Sequence, residues 1–267
     1  MTRRKLIILS AIITAVAVAT PYAFNTELEC ISYTVQTDKV FKPVKLAFLS
    51  DVHSSYYGYD MGELVNAVKR FDPDAVIFGG DLFNKHRGEG YSMTLVKRLT
   101  ALYPCIYSIG NHETYGEPGE ERLIKQDMRD LGVTVLDGGY VDIGNIRISG
   151  IDGAAYTNQV EACEKELSPD MFNVLINHYP EEFPVLSGRG FDLILSGHAH
   201  GGQWRFPPLL NGVYASGQGI FPKYTAGEYY MNGTEMIVSK GLERRLRELF
   251  APRIFNRPEL TLITVGQ

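Results

Sequence analysis

Five short apolar runs in this 267-residue chain each end in polar residues that a hydrophobic core would not choose. Leu46-Ala47-Phe48-Leu49 runs into Asp51-Val52-His53, Ala75-Val76-Ile77-Phe78 into Gly79-Gly80-Asp81, and Ile106-Tyr107-Ser108-Ile109 into Gly110-Asn111-His112-Glu113. Val174-Leu175-Ile176 leads to Asn177-His178, and Leu193-Ile194-Leu195 to Gly197-His198-Ala199-His200. Runs this short, apolar throughout and bounded by turn residues, have the signature of strands buried on both faces. Thirty residues separate Asp51 from Asp81, and again Asp81 from Asn111. That is about the length of one strand–helix unit, so the three should emerge side by side from neighbouring strands. Amphipathic segments from Met61 to Phe71 and from Ser92 to Leu102 fill the gaps and set the order βαβαβ. A further helix is expected from Glu120 to Leu131, then a hairpin pairing Val141-Asp142-Ile143 with Ile146-Arg147-Ile148 across Gly144-Asn145. Met236-Ile237-Val238 and Leu260-Thr261-Leu262-Ile263 are strand candidates near the C-terminus.

Open α/β sheets place their sites at the carboxyl ends of their strands. Five of the six histidines fall in these clusters, His86 being the exception. Taken singly, an Asp after a strand is an ordinary turn former or helix cap, and a lone histidine an ordinary hydrogen-bonded core residue. Together, strand ends that supply Asp51, His53, Asp81, Asn111, His178, His198 and His200 to one place would leave repelling, unsatisfied groups. Divalent cations remove that cost. Histidine and carboxylate donors with few sulfurs suit manganese, iron or zinc over calcium.

Composition narrows the alternatives. The formal charge of −5 argues against a basic nucleic-acid-binding surface. Cys30, Cys105 and Cys163 have no metal-knot spacing and suggest no disulfide framework. Cys105 lies in an apolar run, where a thiol packs as a small hydrophobe. Nothing in the middle of the chain has the character of a linker.

The N-terminus stands apart. Arg3-Arg4-Lys5 precede a nearly uncharged stretch from Leu6 to Phe24, which as a helix would cover roughly 28 Å, just enough for a bilayer. The basic flank would remain cytoplasmic and the rest of the chain would lie outside. A retained anchor and a cleaved signal peptide both fit, since Ala15-Val16-Ala17 and Ala17-Val18-Ala19 satisfy a small-x-small pattern and Pro21 would end the helix early. Thr2-Arg3-Arg4-Lys5 is also similar to a twin-arginine export signal. A buried core helix is the plain alternative.

In order, D-x-H, G-D, G-N-H-E, a lone His and G-H-x-H resemble the motifs of the calcineurin-like metallophosphoesterase superfamily. Leu195 to Gln203 and Ser239-Lys240-Gly241-Leu242 resemble the bacterial YkuE-type phosphodiesterase branch. The resemblance implies an α/β fold, a four-layer α/β/β/α sandwich around a central mixed β-sandwich. The resemblance runs from about Lys45 to Val265, and with the N-terminal reading it divides the chain into residues 1–24 (signal-anchor or signal peptide), 25–43 (juxtamembrane segment and first strand) and 44–267 (the metallophosphoesterase domain). It implies two divalent transition-metal ions, manganese foremost with iron or zinc as alternatives. Asp51, His53 and His200 would hold the first, Asn111, His178 and His198 the second, and Asp81 would bridge both. His112 would be the catalytic residue beside the leaving-group oxygen, helped by Asp51 or another acid. The implied enzyme hydrolyses a phosphodiester or pyrophosphate bond, in some relatives of a lipid-linked substrate, with a metal-bridging hydroxide as nucleophile. A phosphomonoesterase on small esters and a non-catalytic scaffold of the same fold are the alternatives. Its expected place is the outer face of the cell membrane, or the cell wall after cleavage. Outside the motifs, Lys85, His86, Arg87, Gln203 and Arg205 are candidates for lining the cleft. The basic run from Arg244 to Arg247 with Arg253 is a candidate for touching anionic lipid; a solvated turn is the stronger reading for Lys85, His86 and Arg87, and a structural role for the basic run.

Overall fold

The apolar runs pair into two six-stranded sheets in the computed structural model, which describes residues 2–84, 90–152, 156–244 and 252–266, without the side chains at 12, 15, 16, 156 and 157. The proposed cleft residues Lys85, His86 and Arg87, and Arg245 to Phe250 of the basic run, lie outside the described residues. The first sheet orders β1 (Glu29–Val35), β14 (Glu259–Val265), β2 (Val44–Leu49), β3 (Ala75–Gly79), β4 (Cys105–Ser108) and β5 (Thr134–Val135). Its β2, β3, β4 and β5 are parallel, β14 runs against β2, and β1 is parallel to β14. The second sheet orders β12 (Gly227–Met231), β13 (Thr234–Val238), β9 (Leu193–Ser196), β8 (Phe172–Ile176), β7 (Ile146–Gly150) and β6 (Tyr140–Ile143). It is parallel from β13 to β7 with an antiparallel strand at each edge. A two-stranded ribbon, β10 (Tyr214–Ala215) with β11 (Gly219–Ile220), stands separately.

The sheets pack face to face. Leu46, Phe48, Ile77 and Ile106 of the first meet Ile148, Val174, Ile176 and Leu195 of the second in one buried cluster. Each such side chain contributes roughly 1.5–3 kcal/mol of burial. On the outer face of the first sheet, α2 (Gly62–Phe71), α3 (Gly90–Thr100) and α5 (Glu120–Asp130) bury Leu64, Val65, Leu95, Leu99, Ile124 and Met128 against Ala47, Leu49, Val76 and Phe78. On the far side, α6 (Tyr156–Lys165) and α7 (Phe183–Leu186) cover Leu175, Ile194 and Met236 with Val160, Cys163, Phe183 and Leu186. The architecture is thus the four-layer α/β/β/α sandwich. The predicted hairpin forms with Ile143 opposite Ile146, and Cys105 and Cys163 are buried among apolar neighbours.

Helix α1 (Arg3–Ala23) precedes the sheets. It runs two residues past Pro21, slightly beyond the early stop expected there, and ends at Ala23 within the turn that the proline deprives of an N–H donor. Leu6, Ile7, Ile8 and Leu9 are 45–61% exposed. Successive residues turn by about 100°, so these four present apolar surface around the whole circumference. Among the described residues no helix is long and apolar enough to cross a membrane; three side chains of α1 itself are not among those described.

Candidate metal centre

All five predicted strand ends open onto one edge of the sandwich, because β2, β3 and β4 in one sheet and β8 and β9 in the other point the same way. The backbone knits the ends together: Asp51 N–H donates to Gly80 O, His53 N–H to Asp81 O and Gly197 N–H to His178 O. Three overlapping groups result, each with ligand atoms within 4.8 Å of one another: Asp51, His53 and His200; His53, Asp81 and His112; Asp81, His178 and His198. Asp81 Oδ2 lies 3.3 Å from His178 Nε2, 3.6 Å from His53 Nε2 and 4.0 Å from His112 Nε2. Asp51 Oδ1 lies 3.7 Å from both His178 Nε2 and His200 Nε2. Asn111 begins the single turn α4 (Asn111–Thr114), directly after Gly110, which packs on the Asp81 carboxylate.

The local backbone is unusual. Asp51, His53, Asp81, His198 and His200 all have φ between 46° and 63°, a left-handed conformation costing of order 1–3 kcal/mol at a residue with a side chain. Such a concentration persists only where the surroundings over-determine it, which is the behaviour of functional sites. Gly110, at φ −105°, occupies a conformation open to any residue. Glycine stands there for space, since a Cβ would overlap Asp81. Gly110→Ala is therefore expected to lower the stability of the metal-free protein by about 1–3 kcal/mol, the usual range for overpacking, and thermal unfolding checks it.

Supporting contacts hold the acids and imidazoles in place. Ser50 Oγ donates to Asp51 Oδ2 (2.7 Å), and His198 N–H donates to the same carboxylate. His178 Nδ1 bonds Gly79 O at 2.8 Å and His112 Nδ1 bonds Asn84 O at 2.7 Å; a carbonyl only accepts, so each Nδ1 carries the hydrogen and each Nε2 faces the cluster. Glu113 accepts from the N–H groups of Gly110, Asp81 and Phe83, tying two strand ends together as a structural brace. Burial and then the Asp81 charge push its carboxyl up to about 7.

The electrostatics call for positive charge. Burial alone would raise the Asp81 carboxyl, yet His178, with His53 and His112, holds it well below the usual range. Burial would lower His178, yet Asp81 and then Asp51 push it up to about 10. Burial and then His178 press His198 down to about 3, and burial and then His53 hold His200 far below its ordinary value. Neutral His198 and His200 beside an ionised Asp81 are in the forms that coordinate cations, while the raised His178 marks the place where a cation would take over the charge of its proton. Asn111 Oδ1 is buried with no hydrogen-bond donor among the described residues. Such an atom costs of order 1–3 kcal/mol, and a cation supplies the missing partner. The donor set therefore fits divalent metals.

Three supporting residues were not singled out from the sequence. Glu243 Oε2 lies 3.5 Å from His200 Nδ1, Asn256 Nδ2 donates to His200 O, and Ser50 braces Asp51. Only Ser50, adjacent to a motif, had a local signal. Arg205, expected near the cleft, turns back to donate to Gly201 O. Arg253 is buried and donates to Gly241 O, so its role is structural. The acidic helper expected for His112 is instead the Asn84 carbonyl on Nδ1.

Residues 44–202, more than half of the chain, match the family of calcineurin-like phosphoesterases, and the chain belongs to that family. It is accordingly a metallophosphoesterase, a hydrolase of phosphoric esters that uses divalent metal ions. It is 27% identical to the uncharacterized metallophosphoesterase YkuE of Bacillus subtilis, over 89% of this chain and 85% of that one. It is 25% identical to the phosphodiesterase YaeI of Escherichia coli, over 83% and 82%. An uncharacterized metallophosphoesterase of Campylobacter jejuni is 26% identical over 66% of this chain, which spans only 49% of that relative.

Proposed function

We propose that the chain is a dinuclear metal-dependent phosphodiesterase working at the outer surface of the cell membrane. The observation that carries this reading is a chain of shared donors: His53 joins the Asp51–His200 group to Asp81, and Asp81 joins it to His178 and His198. Asp51, His53 and His200 would hold one cation, Asn111, His178 and His198 the other, with Asp81 between them. Manganese is the proposed metal, the donors being nitrogen and oxygen without sulfur. When bound, two such cations polarise the phosphoryl oxygens and acidify a water that serves as nucleophile.

The protein groups do the positioning. Ser50 and the His198 N–H orient the Asp51 carboxylate, and the Gly79 carbonyl sets the His178 tautomer. His112, about one-fifth exposed while Asp81 is buried, presents Nε2 at the cluster's open side. As an imidazolium it would donate its Nε2 proton to the departing oxygen, the Asn84 carbonyl keeping Nδ1–H in line. The name of the Escherichia coli relative supports a diester substrate over a monoester.

The membrane location is supported by α1. A groove on a protein covers one stripe of a helix, whereas apolar side chains exposed all round, as at Leu6 to Leu9, find partners on every side only in lipid. Arg3, Arg4 and Lys5 would hold its start on the cytoplasmic side. A lipid-linked phosphodiester would then be within reach of the site.

Metal analysis of the purified chain, with hydrolysis of bis(4-nitrophenyl) phosphate and 4-nitrophenyl phosphate, tests the proposal. Faster diester hydrolysis with two metals bound is expected. Preference for the monoester would favour a phosphomonoesterase, and silence on both in metal-loaded protein a scaffold. Chelation should also lower stability, by about 2.7 kcal/mol when the metal had been present at 100 times its Kd. That is a drop of several degrees in Tm.

A further inference from the structure

A cavity of about 510 Å³ is lined by Tyr22, Phe206, Leu209 and Phe255 with Glu29, Lys240 and Arg257 among its polar walls. The four apolar residues are 71%, 43%, 91% and 41% exposed, and come from three separate stretches of chain. An apolar rim of this kind marks a site of association. Its occupant is indicated by α1, whose last turn supplies Tyr22 and whose Ala23 carbonyl accepts the Phe255 N–H at 2.7 Å. Whatever surrounds α1 therefore meets this rim. Both cations of the cavity are already engaged: Lys240 pairs with Glu29 at 2.5 Å and Glu259 at 3.6 Å, and Arg257 with Glu27 at 3.8 Å. The attraction on offer is apolar, with no surplus of positive charge.

The cavity shares an end of the sandwich with the metal centre. β14 runs against β2, with Thr261 opposite Phe48, so its start lies beside the strand end that delivers Asp51. Two walls are one residue from the site: Lys240 precedes Gly241, which packs on Asp51, and Phe255 precedes Asn256, which donates to His200 O. Phe41, 90% exposed, precedes the opposite end of β2, roughly 20 Å away along that six-residue strand.

We infer that Tyr22, Phe206, Leu209 and Phe255 form a bilayer-docking face that inserts into the lipid surface next to α1 and holds the metal centre close against it. The inference rests on the proposed membrane location and deepens it, by fixing which face of the enzyme meets lipid. Insertion is apolar and independent of lipid charge.

The test uses the full chain reconstituted into phosphatidylcholine vesicles, some carrying bromine on their acyl chains, with a reporter tryptophan at Leu209 or at Phe41. Both positions are at least 90% exposed, so Leu209→Trp and Phe41→Trp leave the fold intact, and the single native tryptophan, Trp204, is corrected for with the unsubstituted protein. Expected is co-flotation with the vesicles, loss of most of the added Leu209→Trp fluorescence to bromine, and none for Phe41→Trp, unchanged by salt. Co-flotation with neither reporter quenched would overturn the docking face and leave attachment through α1 standing. Equal quenching at both would overturn the orientation. Absence of co-flotation would overturn the membrane location together with this inference. Dimers in detergent that Leu209→Glu dissolves, without quenching in vesicles, would assign the face to a second copy instead.

Discussion

Asp81→Asn should abolish turnover and empty at least one metal position. The carboxylate is buried at 1% exposure and faces three imidazoles within 4.0 Å. Asparagine keeps its shape, so the Asp81 Oδ1 interaction with the His112 N–H can survive, but the charge that draws cations between His53 and His178 is gone. Losing a mere outer partner of a ligand costs roughly 10–100-fold in metal affinity. Removal of a shared ligand should exceed that, with metal content measured by elemental analysis and activity on the diester measured in parallel. Full activity with two metals retained would refute the bridging role.

His112→Ala should leave metal content unchanged and slow turnover by roughly 10²- to 10⁴-fold, the range for a lost general acid. The imidazole Nε2 stands 4.0 Å from Asp81 Oδ2, and its Nδ1 is spent on Asn84 O. A substrate whose leaving group needs no proton should be much less affected. Comparison of a 4-nitrophenyl diester with an alkyl diester therefore separates proton donation from simple positioning. Loss of metal in proportion to activity would instead mark His112 as a support for the cluster.

The parts of the fold legible from sequence were those whose signal is local. β2, β3, β4, β8 and β9 announced themselves as apolar runs, α2, α3 and α5 as amphipathic periods, and β6–β7 by its Gly144-Asn145 turn. Two-residue β5, the β10–β11 ribbon and four-residue α7 are too short to carry a period. β1 is placed by pairing with β14, Glu29 beside Glu259, a contact between opposite ends of the chain that neither segment encodes alone. At the site, the motif residues were visible because polar groups at the ends of buried strands violate the core pattern. Glu243 and Asn256 were not, because each acts through a contact to His200 from a distant loop.

Order and spacing of residues along the chain thus determined that strand ends would carry acids, imidazoles and an amide to a common edge, because burial of apolar runs and the length of a strand–helix unit are local matters. Tertiary structure alone decided which atoms meet. The left-handed turns at Asp51 and Asp81, the fit of Gly110 against a carboxylate and the arrival of α1 beside Phe255 depend on surfaces from both sheets closing on one another. Contacts between residues so far apart in the chain become energetically defined only once the sandwich has formed.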